Sequence, residues 1–163
     1  MSSANRLDGS SAADLVVSLN GFSSPPISVP IAPVAPGIYT LSQAGTGRAA
    51  ILHASDSTLV SPSNPARPGE FLELFTTGLG SVIPNVTTGA QGPSDPLART
   101  RLVPSATIAG LPATIGFTGL APGYVGLYQL NLQVPNGISS GEQTLIVTSN
   151  GVASNPATIM IGQ

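Results

Sequence analysis

Cysteine, lysine and tryptophan are absent from this 163-residue chain, and histidine occurs once. Without cysteine there is no disulfide, no thiolate nucleophile and no zinc–thiolate site. Without lysine there is no Schiff-base chemistry and no lysine–asparagine isopeptide crosslink. A single histidine cannot build a multi-histidine metal centre. Charge is scarce as well: five arginines face seven acidic residues, 7% of the chain is charged, and the formal net charge is −2. Typical domains are about a quarter charged. An electrostatic footprint for nucleic acid or an anionic membrane is missing. No apolar run approaches the roughly 18 residues that span a bilayer. Neither nucleic-acid binding nor membrane insertion is expected.

What is present points to β-structure. Hydrophobic residues make up 41% of the chain, punctuated by 19 glycines and 16 prolines. Disorder couples low hydrophobicity to high net charge, and neither holds here. A seventeen-residue segment occurs twice without gaps, at residues 15–31 and 145–161, with seven identical positions. Each copy reads strand, Asn-Gly, strand, at Asn20-Gly21 and Asn150-Gly151. Asn-Gly is the strongest short hairpin signal because a type I′ turn needs positive φ at both central positions. The chain thus reads as one β-domain preceded by the closing hairpin of another.

Residues 1–12 are small and polar and read as a flexible tail without an apolar signal-peptide core. Residues 13–35 hold the hairpin and its linker, and residues 36–163 the main β-domain. Within that domain, Ile38–Leu41 and Arg48–His53 are short strands, and Ser61–Gly69 is a proline-rich connector. In the strand that follows, Phe71, Glu73 and Phe75 share one face, and Leu72 and Leu74 the other. Residues 81–104 form a Pro/Gly/Ser/Thr-rich segment, a length usually functional, mobile or locally structured. Strands at about 105–109 and 113–118 lead to the clearest alternation, Tyr128, Leu130, Leu132 and Val134 against Gln129, Asn131 and Gln133. Period two predicts one buried and one wet face, with Tyr128 in the core. Some nine or ten strands at this spacing suit a sandwich, with no helix.

Several segments together carry a resemblance. Pro68-Gly69-Glu70-Phe71, Thr77-Gly78-Leu79-Gly80, residues 106–114, Leu132-Gln133-Val134-Pro135 and Thr148-Ser149-Asn150-Gly151 resemble an immunoglobulin-like IPT/TIG sandwich. With Ala35-Pro36-Gly37-Ile38-Tyr39, Ala50-Ile51-Leu52, Ser61–Ala66 and residues 119–131, the chain is similar to the Solibacter-type C-terminal domain of large acidobacterial exported proteins. The resemblance runs from about residue 14 onward. It implies an all-β, immunoglobulin-like β-sandwich with an extra N-terminal hairpin left from a preceding repeat. It also implies an accessory or surface module placed outside the cell as part of a longer precursor, and it transfers no catalytic residues. The family usually has Asn where this chain has His53.

Few residues could do chemistry. Gly137-Ile138-Ser139-Ser140-Gly141 satisfies G-x-S-x-G, but a nucleophile elbow needs a strand-to-helix turn, and strands flank it on both sides. His53 stands close to Ser55 and Asp56. A general base could be assembled from His53 with Asp56 orienting it. The plainer alternative is an Asx turn at Asp56, with His53 a surface residue at a strand end. Asp56, Glu70, Glu73 and Asp95 could supply oxygen ligands to calcium, although no EF-type loop is present. Arg99 and Arg101 fit a solvated patch.

Two functions follow as expectations. The first is a non-catalytic adhesion, spacer or assembly module of an exported protein, self-associating through its N-terminal hairpin because an unpaired apolar hairpin must be covered. The alternative is a small calcium-assisted esterase or lactonase with His53, Asp56 and Ser55 at the reacting centre.

Overall fold

The computed structural model describes residues 9–163, and the greater part of the expected tail, residues 1–8, lies outside the described residues. Every regular element among the described residues is a strand, so none contains a helix long and apolar enough to cross a membrane. The N-terminal hairpin comprises β1 (Ala12–Leu15), β2 (Ser18–Leu19), β3 (Phe22–Ser23) and β4 (Ile27–Pro30). The body follows with β5 (Gly37–Ile38), β6 (Ile51–His53), β7 (Phe71–Thr77), β8 (Val82–Ile83), β9 (Arg99–Thr100), β10 (Ser105–Ile108) and β11 (Leu111–Leu120). It ends with β12 (Tyr128–Gln133), β13 (Gly141–Ser149), β14 (Val152–Ala153) and β15 (Ala157–Ile161).

The two copies of the repeat fold alike. Asn20 and Gly21 have φ of 50° and 81°, and Asn150 and Gly151 have 47° and 78°, so both turn as type I′. Leu15 lies opposite Ile27 as Leu145 lies opposite Ala157, and Ser18 faces Ser23 as Thr148 faces Ala153. The bonds match too. The Ser24 amide donates to the Val17 carbonyl at 2.9 Å and the Ser154 amide to Val147 at 2.8 Å. The Val17 and Val147 amides each donate to the serine hydroxyl at 3.1 Å.

The body is an all-β domain built on a curled, open antiparallel sheet, a half-barrel, in which strands run β15-β13-β10-β11-β12-β7 and β5 and β6 both pair with β7. β11 makes the curl. Its first residues pair with β10 and its later ones with β12, and the register slips between Ile115 and Phe117, around Gly116. A bulge sharpens the local twist and lets one strand serve both limbs. Leu72, Leu74, Leu130 and Leu132 from one limb share a single buried cluster with Ile108, Leu145, Val147, Ile159 and Ile161 from the other. The alternation read from the sequence is therefore the core pattern. Tyr128 sits at its margin, half-buried, with its hydroxyl donating to the Gly80 carbonyl.

At the free edge of β15, irregular backbone takes the place of a strand. Thr158 donates to Gly47 and accepts from Ala49, while Ala66 donates to Met160 and accepts from Gly162. The Asn155 side chain ties the same hairpin to β5, accepting from the Ile38 amide at 2.8 Å and donating to the Ile38 carbonyl at 3.1 Å. Residues 81–104 are locally structured. β8 and β9 pair with each other, β9 joins β11, and Val82, Ala98 and Leu120 form a second small core.

The linker from hairpin to body is seated on Gly78. The Ala35 amide donates to the Gly78 carbonyl at 2.8 Å. A Cβ on Gly78, whose φ is +72°, would lie 1.8 Å from the Ala35 carbonyl oxygen. We expect Gly78→Ala to lower the thermal midpoint and to raise amide exchange at Val34 and Ala35. A left-handed backbone position and a backbone clash together cost upwards of about 1 kcal/mol. Thr76 poses the opposite case, a fully buried hydroxyl without a hydrogen-bond partner among the described residues. Thr76→Val should raise stability by about 1 kcal/mol in denaturant unfolding, because an orphaned buried hydroxyl carries a desolvation penalty that a methyl does not.

Candidate functional site

His53 ends β6 opposite Leu72 of β7, on the inward face, and is only 6% exposed. Glu70, two residues before Leu72, has the same parity and so falls diagonally beside His53. A turn sets its place: the Glu70 amide donates to the Arg67 carbonyl at 3.1 Å, and Gly69 at φ +82° follows Pro68. That is a type II turn, with proline and glycine at the positions it favours. The Glu70 backbone carbonyl accepts from the Val134 amide at 2.8 Å, so the turn is pinned to the end of the central strand.

Both ring nitrogens of His53 are engaged. Nδ1 pairs with Glu70 Oε1, and Nε2 lies 3.2 Å from the Asn64 carbonyl. Both partners are acceptors, so the doubly protonated imidazolium satisfies them together. Glu70 Oε2 accepts in turn from the Arg67 amide at 2.9 Å. Asn64 closes a tight turn with Ser61, whose amide donates to the same Asn64 carbonyl at 2.9 Å. The histidine thus clamps the proline-rich connector onto the start of β7. Burial would lower its pKa, but the Glu70 hydrogen bond, the Asn64 carbonyl and the charges of Glu70 and Asp56 outweigh that and raise it above 6.5.

Among the described residues, the hydrogen-bond partners of the His53 ring are Glu70 and Asn64, and Asp56 bears on it only through its charge. Its Oδ1 accepts from the Thr58 amide at 2.9 Å and the Thr58 hydroxyl at 2.7 Å, an Asx turn that holds its carboxyl below the usual range. His53 lies at a strand end, as read from the sequence, but it is buried rather than at the surface, because β7 and the connector cover it. Ser55 is exposed, and no hydrogen bond among the described residues joins it to His53. Glu73 points to the opposite face of β7, and Asp95 sits in the exposed Ser94–Leu97 turn. Among the described residues, Asp56, Glu70, Glu73 and Asp95 form no group of three or more that could hold a metal ion.

The remaining features carry less chemistry. Residues 137–141 join β12 to β13 with no helix following, and the Ser139 carbonyl accepts from the Gln143 side chain at 3.0 Å. Arg99 stacks over Phe117 at 5.0 Å, and the Arg101 guanidinium reaches Asn85 Oδ1 at 3.5 Å. An open cleft of about 870 Å³ separates the base of the N-terminal hairpin from Gly78, Gly80 and Tyr128. Tyr128 is its one titratable wall among the described residues, and burial raises that phenol's pKa.

The Glu70 partnership was legible only in part. Residue parity separates Glu70 from Glu73, but which strand lies beside β7 is a tertiary fact.

The raised pKa of His53 has a defined sign. Its contribution to stability is complete below about pH 6.5 and is lost as pH climbs through the higher folded value. Asp56 acts in the opposite sense, and its contribution fades only as pH falls below the usual carboxylate range. We expect the thermal midpoint to decline from pH 6 to pH 9 in calorimetry, and His53→Gln to flatten that decline. His53→Ala should cost about 1–3 kcal/mol at pH 6, the scale of a lost charged hydrogen bond.

No protein-family model matches the chain, and neither a curated protein nor a solved structure matches it.

Proposed function

We propose that the chain is a non-catalytic β-sandwich module, immunoglobulin-like and of the Solibacter C-terminal kind, that spaces, joins or adheres the parts of an exported bacterial protein. The observation that carries this reading is the state of His53. The chain's one imidazole is buried, with both nitrogens committed to Glu70 and Asn64. A general base needs a free lone pair within reach of a substrate proton, and an imidazolium held between two acceptors has none. Its role is to fasten a connector.

Further support comes from how side chains are spent. Asp56 is used in a turn, the Tyr128 hydroxyl on a backbone carbonyl, and the open cleft is walled by Tyr128 and by aliphatic, glycine, proline and hydroxyl residues with no carboxylate or imidazole among the described residues. The immunoglobulin-like topology and the extracellular placement rest on the segments of resemblance named above.

The test is a panel of ester and lactone substrates on purified protein, with calcium and with chelator, beside His53→Ala. No turnover above the buffer rate is expected under any condition. Chelator-sensitive turnover lost in the variant would replace this reading with a calcium-assisted hydrolase acting through His53 and Asp56.

A further inference from the structure

The face that the C-terminal hairpin buries is bare in the N-terminal one. Leu145 and Val147 are fully buried and Ala157 is 1% exposed, whereas their equivalents Leu15, Val17 and Ile27 are 54%, 63% and 64% exposed. Leu19, at the position of buried Ser149, is 72% exposed. Val29 and Ile31 continue the same face but are half-buried, so the bare part is Leu15, Val17, Leu19 and Ile27. The body offers no cover, because β13 and β15 already fill its apolar concavity and no body strand packs extensively on β1 or β4. Position 155, which ties the second hairpin to β5, is Pro25 in the first.

We propose that this face is a dimerisation surface whose occupant is the same face of a second copy of the chain, the two hairpins stacking as facing sheets about a twofold axis. Three features favour that occupant. Complete cover of these side chains in both copies would remove on the order of 1,000 Å² from water, the size at which a specific interface begins. Asp14, the one charge in the hairpin, has the opposite parity to Leu15 and points away, so no like charges meet. Pro25, Pro26 and Pro30 border or occupy β4, and Pro30 offers no amide, which blunts strand addition at the β4 edge and favours the face. A face meeting itself closes as a dimer rather than growing as a filament.

The inference deepens the assembly reading and rests on it, but the two fail separately. Hydrolytic turnover would remove the non-catalytic reading and leave the dimer standing. A monomer would remove the dimer and leave the absence of turnover standing. The experiment is sedimentation velocity of the full chain from micromolar to several hundred micromolar, beside the double variant Leu15→Asp, Ile27→Asp. Both positions are exposed, so the melt of the body should not move, and calorimetry checks this. A concentration-dependent dimer in the parent chain, abolished across the whole range in the variant, is the expected result. A parent chain that stays monomeric overturns the proposal and leaves the face to a different apolar sheet. A dimer that survives in the variant overturns it equally, because the contact then lies elsewhere.

Discussion

Burial of the inward residues of β13 and β15 in one cluster with β7 and β12 organises the rest of the domain. Each fully buried aliphatic side chain contributes about 1.5–3 kcal/mol relative to exposure, and the cluster holds all of the largest fully buried side chains among the described residues. The sheet curls because those faces must meet, and β11 supplies the curl by passing from β10 to β12 between Ala113 and Thr114 and bulging at Gly116 just beyond. Once the limbs are folded over, the edge of β15 is brought beside residues 47–49 and 66, whose backbone satisfies it. The N-terminal hairpin shows what the same local structure is without that cover. Turn, register and serine hydrogen bonds are all retained, and the apolar face stays open.

His53 sits where this core runs out. β6 is three residues long, and its last inward position faces the connector rather than another aliphatic side chain. A buried polar group there costs free energy unless every hydrogen-bonding site is met. Glu70 and the Asn64 carbonyl meet both. The arrangement resembles a catalytic dyad in composition and differs in direction. A dyad leaves one imidazole nitrogen for substrate, whereas here the second nitrogen is spent on the chain itself. The ion pair is a fastening between the connector and β7, and its cost in specificity is a dependence on protonation.

Several particulars were legible beforehand because they depend on neighbours in sequence. Asn-Gly demands positive φ, and both copies have it. Alternation along residues 128–134 named the buried leucines, and parity separated Leu72 and Leu74 from Glu73. The Asx turn at Asp56 also follows from local chemistry, since Thr58 is two residues away. The segment 81–104 was not readable in the same way. Its order comes from the two-residue pairings of β8 and β9 and from contacts with β11, none of which leaves a periodic trace. His53 was misplaced at the surface for a related reason: its covering residues, Asn64 and Glu70, are 11 and 17 positions away.

The sequence by itself determined that the chain is all-β, that it carries the same hairpin twice, and which side chains of each strand share a face. These follow from backbone sterics and the two-residue period, which need no knowledge of what lies across the gap. Only the tertiary structure decided that one hairpin is covered and the other bare, that Glu70 rather than Asp56 meets the histidine, and that the sheet is curled and open. Each of these depends on which distant strand becomes a neighbour, and that is settled by the burial of the whole apolar surface at once.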